Sequence, residues 1–129
     1  MDDEPKRRLL VIDDSELILA AEHAVLTEAG FEVRTVSSLR AFVNALMDWV
    51  PHMIVTDLYM PDMKGDELCT WIRGQVKHAK IPIVIYSSAP DAELEEVARN
   101  VNADAFVSKN AGIAALPARL HQLCDEILW

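Results

Sequence analysis

The chain has 129 residues, a formal net charge of -9 and 51% hydrophobic residues, which is one domain's worth of polypeptide with enough apolar material for a core without staples. The acidic balance argues against direct nucleic-acid binding, because the 12 Lys and Arg are scattered and Arg7-Arg8 is the only tight basic pair. No apolar run approaches the roughly 20 residues a spanning helix needs, and the charged start Met1-Asp2-Asp3-Glu4-Pro5-Lys6-Arg7-Arg8 is not a secretory leader, so no membrane association and a cytoplasmic setting are expected.

Residues 1–8 read as a charged N-terminal extension, and residues 9–129 as a single domain in which strand-like and helix-like segments alternate five times. That alternation is the pattern of an α/β domain with a parallel sheet. The first strand spans Leu9 to Asp13. Ser15 caps a helix that runs through Ala29, with Ile18, Ala21, Val25 and Ala29 on its inward face, and Gly30 ends it. The second strand, Glu32 to Val36, alternates polar and apolar residues and is expected at a sheet edge. Ser37 or Ser38 caps the second helix, which carries Phe42, Ala45, Leu46 and Trp49 and stops before Pro51.

Met53 to Asp57 is a continuously apolar strand, of the kind covered on both faces. The third helix runs from about Gly65 to Val76 with Leu68 and Ile72 inward. A fourth strand covers Ile81 to Ser87, and a fourth helix runs from Asp91, led by acids that favour a helix N-terminus, to about Val101. Asn102 follows, a side chain that tolerates the left-handed turn at a helix end. The fifth strand is Ala105 to Ser108. The fifth helix starts near Ile113, with Pro117 acceptable only in its first turn. Cys69 and Cys124 read as buried, reduced thiols, and His23, His52, His78 and His121 share no spacing that suggests a metal site.

The chemistry gathers at strand ends. The first strand ends in Asp13-Asp14 and the third in Asp57, so carboxylates are delivered close together, and like charges so placed disfavour one another. A hard divalent cation with its preference for oxygen ligands relieves that repulsion. The fourth strand ends in a hydroxyl, Ser87, and the fifth is followed by an amine, Lys109. Acids, a hydroxyl and a lysine at successive strand ends make a phosphoryl-transfer site.

The ordered set Asp13-Asp14, Asp57-x-x-Met60-Pro61-x-x-x-Gly65, Ser87 and Lys109 resembles a response-regulator receiver domain of two-component signalling, of the chemotaxis-response-regulator kind, over essentially the whole chain. The resemblance implies a flavodoxin-like three-layer sandwich, with a five-stranded parallel sheet in the order 2-1-3-4-5 and five helices. It implies Asp57 as phosphoacceptor. Asp13, Asp14, Asp57 and the backbone carbonyl of Tyr59 are then the ligands for Mg2+ or Mn2+. Lys109, Ser87 and the backbone amide of Ser88 contact the phosphoryl group, and Ser87 and Phe106 form the switch.

The partners it implies are a histidine kinase or phosphotransfer protein upstream. Downstream, it implies a protein partner or a second copy bound through the face of the fourth helix, fifth strand and fifth helix. Such a domain is a signalling switch rather than a turnover enzyme.

Two positions depart from the family pattern. Asn110 stands where proline with a cis bond usually follows the lysine; cis costs about 2.5–4 kcal/mol without proline, so a trans bond is expected. Phe106 stands where many relatives have tyrosine, and can turn inward without desolvating a hydroxyl. The alternative reading is a pseudo-receiver, a binding module that uses this fold without phosphate chemistry. A haloacid-dehalogenase-type phosphatase is disfavoured, because Asp13-Asp14-Ser15-Glu16 lacks its Asp-x-Asp after the first strand.

Overall fold

The computed structural model describes residues 6–58, 65–75 and 80–127. Its strands are β1 (Arg8–Ile12), β2 (Glu32–Val36), β3 (Met53–Thr56), β4 (Ile83–Ser87) and β5 (Ala105–Ser108). Its helices are α1 (Glu16–Glu28), α2 (Leu39–Asp48), α3 (Gly65–Arg73), α4 (Asp91–Asn100) and α5 (Leu116–Ile127). All strand pairs are parallel, and the sheet order is β2-β1-β3-β4-β5. The predicted three-layer α/β architecture is the one observed.

Alternation along the central strands divides the core into layers. Leu9 and Val11 of β1, Met53 and Val55 of β3, and Val84 and Tyr86 of β4 meet Leu19, Leu26, Leu116, Leu120 and Leu123 of α1 and α5. Leu10, Ile12, Ile54 and Ile83 point the other way and meet Phe42 and Leu46 of α2 and Leu68 and Ile72 of α3. A third cluster, Leu58, Ile85, Ala89, Leu94 and Ala98, seats α4. A sheet buried on both faces is why these strands are apolar throughout. β2, with alternating exposure, lies at the edge.

The caps follow the sequence. The hydroxyl of Ser15 accepts the Ile18 N–H at 3.3 Å, and that of Ser38 accepts the Ala41 N–H at 3.1 Å. Gly30 leaves α1 at φ 101°, a backbone angle L side chains avoid, and Asn102 leaves α4 at φ 58°, as expected of the left-handed turn. Arg73, at the end of α3, ties the α4–β5 connection down: its guanidinium donates to the Ile81 carbonyl at 2.7 Å, the Asn102 carbonyl at 2.9 Å and Asp104 Oδ2 at 2.8 Å. Both cysteines are buried, and neither is in a disulfide among the described residues.

Several details differ from the sequence-based expectation. β1 ends at Ile12 and β3 at Thr56, so Asp13 and Asp57 stand one residue past their ladders. β4 begins at Ile83, and α3 ends at Arg73, with Val76 and His78 outside the described residues. Two 3-10 turns, Lys109–Ala111 and Ile113–Ala115, precede α5. The largest change is the inward face of α1: Val25 and Ala29 pack against the core as expected, but its fully buried residues are Leu19, Glu22 and Leu26, while Ala21 is exposed and Ile18 half-buried. The run from Leu17 to Leu26 is apolar nearly all round, so its period marks no single face, and packing against the sheet selects one.

Candidate functional site

β1 and β3 are neighbours at the centre of the sheet, with Ile12 opposite Thr56. The residues that follow therefore emerge side by side, and the Asp57 N–H donates to the Ile12 carbonyl at 3.3 Å. Asp13 is 2% exposed, and its Oδ1 accepts the Ser15 N–H at 2.9 Å, fixing the carboxylate at the entry to α1. Asp57 Oδ1 accepts the Leu58 N–H at 2.6 Å. Asp14 is exposed, and oxygens of Asp13, Asp14 and Asp57 lie within 4.8 Å of one another. Three carboxylates this close form a hard-oxygen donor set that suits Mg2+ or Mn2+. Tyr59, whose carbonyl is the fourth expected ligand, is outside the described residues, as are Met60 and Pro61.

Lys109 reaches the same acids from the far side of β4. Its Nζ donates to Asp13 Oδ2 at 3.0 Å and to Asp57 Oδ2 at 3.2 Å, and lies 5.5 Å from the centroid of the Tyr86 ring. Burial is the largest single influence on this ammonium and lowers its pKa. The hydrogen bond to Asp13, with the charges of Asp57 and Asp13, outweighs burial and raises the pKa above the usual lysine value. Lys109 is therefore firmly cationic at neutral pH.

The backbone that presents Lys109 is a 3-10 turn, begun by Ser108, whose hydroxyl accepts the Asn110 N–H at 3.1 Å. No peptide bond among the described residues is cis, so Lys109–Asn110 is trans as expected. The Asn110 Nδ2 donates to the Ser88 carbonyl at 3.5 Å, linking the lysine turn to the loop after β4. Ser87, 1% exposed, accepts the Ala89 N–H on its Oγ at 3.3 Å, which leaves its own O–H free to be donated elsewhere. Phe106 is half-buried and packs against the α4 cluster that includes Leu58, Ile85 and Leu94. Among the described histidines, His52 accepts the Arg8 N–H at 2.8 Å, and His121 contacts the Ala29 carbonyl at 2.8 Å. Neither belongs to the acid cluster.

Two residues near the site escape a reading by motif. Tyr86 is one, placed by strand alternation beneath Lys109. Glu22 is the other, 1% exposed with both carboxyl oxygens buried and without a hydrogen-bond partner. Burial above all, then the charges of Asp13 and Asp57, raises its pKa from 4.5 to about 7, against the opposing charge of Lys109. The signal for Glu22 was its spacing from Leu19 and Leu26, the other residues of the buried face.

No helix among the described residues is long and apolar enough to cross a membrane. Comparison with known proteins gives the same architecture and names its lineage. Residues 9–121 match the model of the response regulator receiver domain. The chain is 31% identical over 117 residues to the transcriptional regulatory protein GltR of Pseudomonas aeruginosa, covering 91% of this chain and 48% of that protein. It is 32% identical over 112 residues to the transcriptional regulatory protein KdpE of Mycobacterium tuberculosis, covering 87% of this chain and 48% of that protein. The chain thus spans about half the length of these curated relatives.

Among solved structures, the chemotaxis response regulator CheY4 of Vibrio cholerae superposes with a TM-score of 0.83 at 24% identity, over 92% of this chain and 99% of that one. A signal receiver domain of a histidine kinase from Syntrophus aciditrophicus gives 0.81 at 26% identity, over 94% and 92%. With the fold, the family match and the acid cluster at the ends of β1 and β3 in agreement, the chain belongs to the response-regulator receiver domain family of two-component signalling.

Proposed function

We propose that the chain is a phosphorylatable receiver in which Asp57 takes a phosphoryl group from a phosphohistidine of a histidine kinase or phosphotransfer protein. The observation that carries this reading is the Lys109 ammonium held on Asp57 Oδ2 at 3.2 Å and Asp13 Oδ2 at 3.0 Å. A cation already fixed beside the acceptor carboxylate meets the negative charge of an arriving phosphoryl group without reorganisation. In the step itself a carboxylate oxygen of Asp57 attacks phosphorus, the phosphorus–nitrogen bond of the donor breaks, and the imidazole leaves with that electron pair and takes up a proton. The product is an aspartyl phosphate on a switch protein, not the turnover product of an enzyme.

Asp13, Asp14 and Asp57, with the Tyr59 carbonyl, would hold Mg2+ or Mn2+. That ion, when bound, supplies charge neutralisation between carboxylate and phosphoryl oxygens. Asp13 is oriented for this by the Ser15 N–H. Ser87 offers its O–H and Ser88 its N–H to the phosphoryl oxygens, at the end of the strand between Asp57 and Lys109. Leu58 and Phe106 share the α4 cluster, so movement of the Asp57 and Ser87 loops bears on the seat of Phe106.

The surface this switch would work on is the α4–β5–α5 face. It carries a groove of about 380 Å³ lined by Glu95, Arg99, Asp104, Phe106 and Arg119 among others. Mixed charge around an aromatic residue suits a protein partner or a second copy.

The test is intact mass after incubation with Mg2+ and acetyl phosphate. One phosphate is expected on the parent and none on Asp57→Asn or in the presence of a chelator. Undiminished labelling of Asp57→Asn overturns the choice of acceptor, and a parent that never takes phosphate favours a binding module without phosphate chemistry.

A further inference from the structure

Glu22 is an acid in a place that core packing alone does not explain. It faces inward from α1 between Leu19 and Leu26, with 1% exposure and both oxygens unpartnered. Burying a carboxyl without a partner is costly, and a Leu or Val there would pack without that cost. The charged and titratable groups it interacts with electrostatically come from four strands of the site: Asp13 after β1, Asp57 after β3, Tyr86 on β4 and Lys109 after β5. Glu22 is on a different element from Asp13 and Asp57 and is hydrogen-bonded to neither. Its link to them is electrostatic: it feels the charges of Asp13 and Asp57 directly, and also that of Lys109, whose ammonium is shared by both acids and rests over Tyr86.

We infer that Glu22 is a positioning residue for the phosphoryl site, acting through the charge balance around Lys109. As a carboxylate it competes for the field of the ammonium that Asp13 and Asp57 share, and it adds repulsion against an incoming phosphoryl group. As a neutral acid it leaves the ammonium wholly to the pocket. The inference rests on the phosphoacceptor reading of Asp57. Its consequence is a pair of opposed effects: the charged form tightens a divalent cation and slows an anionic donor, and the neutral form does the reverse. With burial and Asp13 holding the carboxyl near neutrality, small changes in cellular pH shift the balance between the two forms.

Mg2+ titrations and rates of phosphate uptake from acetyl phosphate at saturating Mg2+, at about pH 6 and about pH 8.5 on either side of the Glu22 range, test this in the parent, Glu22→Gln and Glu22→Leu. The acid cluster and the donor are the same in all three, so the difference between proteins reports residue 22. Mg2+ affinity of the parent should rise between the two conditions by ~3-fold to 10-fold more than that of either variant. The parent's uptake rate should fall over the same range, and the variants should stay fast and flat.

Parallel pH responses of parent and Glu22→Gln in the Mg2+ titration overturn the inference, whether or not phosphate is taken up. Should Glu22→Gln fail to fold, Glu22→Leu, which fills the site with no polar atom, makes the same comparison. A Mg2+ response that depends on Glu22 in a protein that never takes phosphate upholds the electrostatic coupling and refutes the phosphoacceptor reading instead.

Discussion

The Lys109 Nζ donates to Asp57 Oδ2 at 3.2 Å across 52 positions of sequence, and the same ammonium reaches Asp13 Oδ2 at 3.0 Å across 96. β4 separates β3 from β5 in the sheet, so the lysine has to cross the end of β4 to make these bonds, and it passes over Tyr86. The acid cluster therefore already holds one cation. A divalent ion bound there would have the ammonium as a neighbour of like sign.

Lys109→Ala should bind Mg2+ at least as tightly as the parent, with a gain of up to about tenfold, because a like charge is removed from beside the ion. The same variant should take phosphate poorly from a small-molecule donor, for want of a cation on the phosphoryl oxygens. Isothermal titration with Mg2+ and intact mass after phosphodonor treatment separate the two effects. A large loss of Mg2+ affinity in a folded Lys109→Ala protein contradicts the assigned role.

Glu22 also makes stability depend on pH. Burial and the charge of Asp13 raise its pKa from 4.5 to about 7 in the folded protein. Below the lower value the acid is neutral in both folded and unfolded chains, and nothing is lost. Between the two values the folded protein keeps a proton that the unfolded chain has released, so stability falls as pH rises through the folded value. Above it, a shift of this size costs on the order of 3 kcal/mol. Glu22→Gln should therefore gain on the parent in urea unfolding at about pH 8 and gain little at about pH 4, below the unfolded value. An advantage that is equal at both conditions would remove Glu22 as the cause.

Arg73 and Asp104 should act as one structural clasp. The guanidinium satisfies the Ile81 and Asn102 carbonyls, and Asp104 Oδ2 accepts both from Arg73 and from the Ile83 N–H at 2.8 Å. Arg73→Ala should lower the unfolding free energy by about 2 kcal/mol, since charge-assisted bonds of this kind are worth roughly 1.5–3 kcal/mol. Arg73→Lys should recover only part of it, because an ammonium lacks the planar fork. Chemical denaturation measures both. Asp104→Ala should in addition release the Ile83 amide to faster hydrogen exchange.

A beryllofluoride phosphoryl mimic should change hydrogen exchange beyond the acid cluster, in the segment from Asp91 to Leu120. Phe106 packs against the cluster that contains Leu58, which follows Asp57, and Ala89, whose N–H is held by Ser87. A shift of the Asp57 and Ser87 loops reaches α4 and β5 through those contacts. Protection that changes only around Asp57 would confine the response to the site and remove the α4–β5–α5 face as its output.

The sequence alone carried the α/β alternation, because buried parallel strands are apolar throughout and the helices between them are capped by Ser15 and Ser38. It also carried the edge position of β2 and the left-handed turn at Asn102, both of which depend on local residue chemistry. Asp13, Asp14, Asp57 and Lys109 were legible as a set because each sits at a strand end. Parallel strands bring their C-terminal ends to one side of the sheet.

What only the tertiary structure decided was how those residues share charge, and which way α1 turns. A helix apolar nearly all round does not mark its own inward face, so packing on the sheet placed Leu19, Glu22 and Leu26 inside and left Ala21 outside. The double contact of Lys109 with Asp13 and Asp57 likewise depends on three strands meeting at one edge of the sheet. Local patterning specifies elements by short-range preference, whereas the field at Lys109 and Glu22 is a sum over charges brought together from distant parts of the chain.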